Sequence, residues 1–177
     1  MYLTVLVGTS MYLFFFTIKD FFIKKETNLS QKISHFGFSL FILSIILNGI
    51  FSSETITNIR IGEKHEFKSG VIYFDRINHF QKENYLSIVG IFKIEDQNNI
   101  ITYLKPELRI FKQPEMITSE ADIKTSLYSD KFLVMNLVKG KDYYNIRYQI
   151  KPFMVWIWIS ITLLAIGGIF NFFKKII

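Results

Sequence analysis

Three stretches of the chain carry no charged residue: 1–18, 33–53 and 152–173. The hydrocarbon core of a bilayer is about 30 Å thick and an α-helix rises about 1.5 Å per residue, so about 20 apolar residues cross it. Each stretch approaches that length, which predicts three membrane helices. In the first, MYLTVLVGTSMYLFFFTI, the lysines (Lys19, Lys24, Lys25) follow the apolar run, whereas a secretory leader has them in front. An uncleaved span is therefore expected. The third opens on Pro152, tolerated in a first helical turn, and sets Trp156 and Trp158 near its polar boundary, where indole rings settle.

Between the second and third spans the pattern changes from continuous to alternating. In YLSIVGIFKIE, Leu86, Ile88, Gly90, Phe92 and Ile94 alternate with Ser87, Val89, Ile91, Lys93 and Glu95, the period of a strand with one buried face. The polar residues Asp96 to Asn99 separate that run from IITYLKPELRIF and predict a hairpin. VIYFDRI, FLVMNLV and YYNIRYQI are rich in β-branched and aromatic residues and read as further strands. TSEADIKTSL is the one helix candidate, with Thr118 or Ser119 as its cap.

The expected fold is thus an integral membrane α+β protein. Helices span 1–18, 33–53 and 152–173, joined by an inner-side loop 19–32. A β-rich domain of small barrel or sandwich type occupies 54–151, and 174–177 form a tail. Charge adds the orientation. Segment 19–32 carries Lys19, Lys24, Lys25 and Lys32 against Asp20 and Glu26, and the tail adds Lys174 and Lys175, a net of +4 for these short flanks. The long segment 54–151 has 15 basic and 13 acidic residues, only +2. Short lysine-rich flanks stay on the inner side, so the β domain is expected outside. The overall +6 is a topology signal, and without a basic stripe in the β domain nucleic acid is not an expected partner.

Chemistry is sparse. The chain has no cysteine, hence no thiol nucleophile and no cysteine metal site. Phosphate-loop, nucleophile-elbow and zincin motifs are missing too, and no catalytic residue is assigned. His65 and His79 stand in polar stretches without metal-ligand spacing and read as surface residues. Glu107 and Arg109, two apart on a strand, share one face and read as an ion pair.

His35 is different. It lies just inside the second apolar run, where a polar ring is costly unless partnered. Its helical face continues through Phe38, Ser39, Ile42, Ile46 and Gly49, and small Ser34 and Gly37 leave room beside it. A neutral imidazole there suits either an axial ligand for haem iron or a ring reaching to headgroups at a helix end. Gly167-Gly168 in the last run predicts close helix packing.

Three stretches together resemble the C-terminal part of the CcmF family, haem-handling proteins of cytochrome c maturation. These are SHFGFSLFILSIIL, with a His-x-Gly opening; KPELRIFKQPEMITSEADI, with Pro106, Glu107, Arg109, Met116, Glu120, Ala121 and Ile123 in register; and IRYQIKPFMVWIWISITLLAIGG, with Arg147, Lys151, Pro152, Phe153, Trp156, Ile157, Trp158, Gly167 and Gly168. The resemblance implies a subunit of a haem lyase complex, which joins haem to the two thiols of a Cys-x-x-Cys-His site in apocytochrome c. It implies that His35 is one of two axial ligands of a membrane b-type haem, and so a ligand of the haem iron. It also implies partners: the haem chaperone CcmE, a thiol-handling CcmH-type protein and apocytochrome c.

The departures are equally informative. The family's tryptophan-rich outer segment and the second haem ligand have no counterpart here: the only tryptophans are Trp156 and Trp158. The chain is therefore expected to be one piece of a split protein, inactive alone and completed by N-terminal CcmF fragments. Its Phe, Ile, Lys, Asn and Tyr bias suits an organellar genome. That points to the mitochondrial inner membrane with the β domain in the intermembrane space, the alternative being a bacterial inner membrane. Two rival readings remain: a cofactor-free structural subunit of a membrane respiratory or assembly complex, and a membrane-anchored binding module.

Overall fold

The computed structural model describes the backbone of residues 2–23 and 28–176, and their side chains except 171 and 173–176. The charges of Lys24, Lys25, Glu26, Lys174 and Lys175, which weigh most in the expected orientation, lie outside the described side chains. Two compact units are present. One combines residues 1–52, 125–130 and 151–177; the other comprises 53–124 and 131–150.

The first unit holds the helices α1 (Tyr2–Ile23), α2 (Leu29–Phe51) and α3 (Met154–Ile176). Both α1 and α2 are long and apolar enough to cross a membrane, and the apolar part of α3, Met154–Phe170, is shorter. Helix propensity extends α1 through Lys19 and Asp20, and α2 already starts at Leu29, so little of the expected 19–32 loop is left. Lys32 closes this end by donating from Nζ to the Phe21 carbonyl at 3.1 Å, satisfying an orphan acceptor of the last α1 turn. Pro152 is not in a first helical turn. It ends a strand, and Phe153, at φ +60°, turns the chain into α3.

Small and hydroxylated residues join the helices. Thr17 and Ser39 meet through their hydroxyls at 2.7 Å between α1 and α2, both buried, and Phe36 packs against Phe14 and Phe21. Between α2 and α3, a Cβ added at Gly37 would lie 3.0 Å from Leu163 Cβ and 3.1 Å from the Ser160 carbonyl oxygen. Backbones approach that closely only where a side chain is missing, which is how small residues hold membrane helices together.

The second unit is built from ten strands. They are β1 (Ser53–Ile59), β2 (Lys64–Phe67), β3 (Gly70–Gln81), β4 (Tyr85–Asp96), β5 (Ile101–Leu104), β6 (Glu107–Lys112), β7 (Glu115–Glu120), β8 (Asp122–Thr125), β9 (Ser129–Leu137) and β10 (Tyr144–Pro152). One sheet runs β1-β10-β9-β8, and the other β2-β3-β4-β6-β7 with β5 beside the far half of β4. The expected hairpin across Asp96 to Asn99 forms, with Phe92 to Glu95 opposite Leu104 to Ile101. The stretch TSEADIKTSL is not a helix: it supplies the end of β7 and all of β8. Pairing of Glu107 to Lys112 with Glu120 to Glu115 overrides its capping signals.

A single core lies between the sheets. Ile59, Leu133, Met135, Ile146 and Tyr148 come from one, and Ile72, Phe74, Ile88, Phe92, Ile94, Leu104 and Leu108 from the other, all nearly or fully buried. Phe74 stacks on Phe92 at 4.2 Å and meets Tyr144 edge-on at 5.6 Å. The β4 alternation is realised from Ile88 onward, with Ile88, Gly90, Phe92 and Ile94 buried, whereas Ser87 is buried and Leu86 only half-buried. Gly90 makes way for Met135 of the opposite sheet, whose Sδ would stand 2.9 Å from a Cβ there.

Candidate functional site

His35 sits in the second turn of α2, its side chain exposed. The expected continuation of its face divides in two. Phe38 and Gly49 are exposed with it, whereas Ser39 is turned to α1 and buried. Gln31, His35, Phe38, Ile45 and Gly49 are exposed along one stripe of α2, at spacings of four, three, seven and four, with half-buried Ile42 in the gap.

Beside the ring lies a cleft of about 310 Å³ lined by Asn28, Ser30, Gln31, Ser34, His35, Gly167 and Gly168. The structure thus brings together two features of the sequence, His35 and the Gly-Gly pair. Gly167 makes the approach: a Cβ there would lie 2.2 Å from Ser34 Oγ and 3.0 Å from the Ser30 carbonyl oxygen. Ser30 Oγ donates to the Gly167 carbonyl at 2.7 Å and pins the two helices in this register. Gly168 supplies space, since nothing stands within 4 Å of where its Cβ would be. The room expected beside Gly37 does not exist, because α3 fills it. Juxtaposition of α2 and α3 is a tertiary fact, and no local pattern announced which glycine would be open.

An axial haem ligand must offer an imidazole nitrogen into space that accepts a flat ring. His35 stands beside an open cleft. Its ring is exposed at the cleft, and no hydrogen bond to either ring nitrogen is formed among the described residues. Only one such group is present. His65 is on β2 with Nδ1 3.3 Å from Thr57 Oγ1, and His79 is exposed on β3, so neither belongs to the helical unit. Among the described residues no three His, Asp or Glu side chains gather as a metal site.

In the β domain, Glu107 and Arg109 form the expected pair, Nη2 donating to Oε2 at 3.0 Å. The arrangement is larger than the sequence indicated. Arg109 also reaches Glu120 at 3.5 Å and lies over the Tyr85 ring at 5.4 Å. The hydrogen bond from Arg109 holds the Glu107 carboxyl below the usual carboxylate range, with partial burial opposing and the Ser87 hydroxyl assisting. A cation fixed by two carboxylates braces β4, β6 and β7; it offers neither a nucleophile nor an open ligand position.

Comparison with known proteins bears on the fold. The family model described as "CcmF C-terminal beta-sandwich" matches residues 50–152. The chain is 25% identical over 139 residues to the cytochrome c-type biogenesis protein CcmF of Pseudomonas fluorescens, covering 78% of this chain and 21% of that one. It is 26% identical over 123 residues to the cytochrome c-type biogenesis protein ccl1 of Rhodobacter capsulatus, covering 68% and 19%. The chain thus spans about a fifth of the length of these curated relatives. Among solved structures, "Cytochrome c Heme Lyase CcmF" matches with a TM-score of 0.66 over 92% of this chain and 28% of that one, at 15% identity, a likeness of fold.

Proposed function

The chain belongs to the CcmF C-terminal β-sandwich family, and from that premise we propose that it is the C-terminal subunit of a cytochrome c haem lyase. In this reading it helps attach haem covalently to apocytochrome c and contributes His35 as one axial ligand of a membrane b-type haem. Haem would supply the redox chemistry, and the chain's own part is to hold an imidazole. Close α2–α3 packing at Gly37 and Gly167 fixes the helix that carries the ring, and Gly168 keeps the neighbouring surface clear.

In this reading the second ligand comes from outside these 177 residues, since His65 and His79 lie on strands of the β domain. The exposed stripe of Gln31, His35, Phe38, Ile45 and Gly49 is the face on which a completing helix would pack. The β domain would be presented to apocytochrome c, the haem chaperone and the thiol-handling protein. The compartment proposed is the mitochondrial inner membrane with the β domain in the intermembrane space.

One observation carries the reading: an exposed imidazole without a partner beside an open glycine cleft on an otherwise packed helix pair. The test is the reduced-minus-oxidised visible spectrum of the purified complex, wild type against His35→Ala. Loss or displacement of a b-type signal with assembly intact is expected. An unchanged signal would make His35 an ordinary helix-end residue and the chain a cofactor-free structural subunit.

A further inference from the structure

Residues 126–128, between β8 and β9, read SLY and carry no charge. Although they connect two strands, residues 125–130 group with the helices. Two hydrogen bonds tie them to the start of α3. Trp156 Nε1–H donates to the Leu127 carbonyl at 3.0 Å, and the Phe153 N–H donates to the Tyr128 carbonyl at 3.0 Å. Within the loop, the Ser126 N–H donates to the Ser129 carbonyl at 3.1 Å, and the Ser129 N–H donates to Ser126 Oγ at 3.1 Å. The Leu127, Tyr128 and Ser129 carbonyls and the Ser126 and Ser129 N–H groups are therefore satisfied within the protein, which lowers the cost of bringing this non-helical segment to the edge of the hydrocarbon.

Its side chains are not packed. Leu127 is 63% exposed and Tyr128 82% exposed. At the same end of the helical unit Phe51, the last residue of α2, is also exposed, and Asn48 Nδ2 donates to the Pro152 carbonyl at 2.5 Å, holding this end of α2 beside the start of α3. Trp156 marks that level as a polar boundary, since its indole N–H is bonded while the ring stays partly exposed.

We propose that the β8–β9 loop is a membrane-interface anchor, with Leu127 and Tyr128 inserted at the boundary between headgroups and acyl chains. An aliphatic side chain beside a phenol is the composition that boundary selects: the apolar surface leaves water while the hydroxyl stays at headgroup level. Lipid is favoured over a protein partner because the loop is tied to the start of the apolar helix α3 beside Trp156, and residues 126–128 carry no charge to select a protein.

The chain contains no cysteine, so single labels can be placed without removing any. Full chains bearing Tyr128→Cys, Leu127→Cys or Ile61→Cys would be labelled with an environment-sensitive nitrobenzoxadiazole and reconstituted in phosphatidylcholine vesicles. Ile61, exposed in the turn after β1, is the control. The expected result is blue-shifted emission at 127 or 128, quenched more by lipids bearing a nitroxide near the headgroup than by iodide in solution, with water-like emission at 61. Water-like, iodide-quenched emission at both loop positions overturns the proposal, and so does a blue shift that nitroxide lipids do not quench, the mark of protein cover. An equal blue shift at 61 overturns it as well.

Discussion

Arg109 is the residue on which the β6–β7 face turns, because Glu107, Glu120 and the Tyr85 ring all converge on it. The consequence for pH can be given a sign. Glu107 has its folded-state pKa lowered, so the stabilisation is complete above the unfolded glutamate value of about 4.3 and is lost as pH falls through the lower folded value. Melting temperature should therefore drop more steeply with acidification for wild type than for Glu107→Gln below about pH 4.3, measured by circular dichroism. Equal slopes would mean the pair is not coupled to folding. Glycines give a sharper case. Gly70 has φ +156°, and a Cβ there would sit 2.0 Å from the Glu95 carbonyl oxygen, which is backbone and cannot swing away. Gly70→Ala should cost about 1–3 kcal/mol in denaturant unfolding of the β domain. The Glu107–Arg109 pair was legible in the sequence from strand periodicity alone. Glu120 and Tyr85 were not, because they arrive from β7 and β4 through register.

Among the elements, β4 was the most legible and the segment 118–127 the least. Alternation in β4 is enforced by one buried face from Ile88 to Ile94, where pattern and structure coincide; at its start Ser87 is buried and Leu86 only half-buried. In TSEADIKTSL the capping residues and acidic first turn suit a helix, yet long-range pairing with β6 decides the outcome. Helix ends were misplaced for a related reason. Charge marks where a span stops being apolar, but α1 continues through Lys19 and Asp20 because a helix tolerates both. The helix pairs carry two further predictions. Thr17→Val should weaken α1–α2 association by about 0.6 kcal/mol, and by no more than about 1.7, in a double-mutant cycle with Ser39→Ala. Gly167→Val should separate α2 from α3 at Ser30 and Ser34. It should lower the thermal midpoint in detergent and diminish any signal that depends on His35. A full signal in a stable Gly167→Val variant would show that the cleft is not needed to present the ring.

For the whole molecule, the order of elements along the chain, apolar helices before and after an inserted β segment, followed from where charge is missing and where alternation begins. The cleft did not, because its walls come from helices far apart in the chain. The insertion begins and ends on neighbouring strands: β1 pairs with β10 from Ser53 opposite Ile150 to Ile59 opposite Tyr144. Its core is its own. Residues 53–152 expressed alone should therefore unfold cooperatively, with a β-type far-ultraviolet spectrum. A non-cooperative transition would mean that the helices supply part of its stability.

That same pairing sets an order of events during synthesis. The strands β2 to β7 find partners close behind them as they emerge. β1 leaves the ribosome first and waits for β10, the last strand made. At about 5–20 residues per second its edge stays open for on the order of ten seconds. By then α1 and α2 are already available to the insertion machinery, while α3, which follows β10 directly, is not. An unpaired strand edge is an invitation to aggregate. Translation speed, or a chaperone that shields the β1 edge, should therefore govern the yield of folded chain more than any contact in the finished structure.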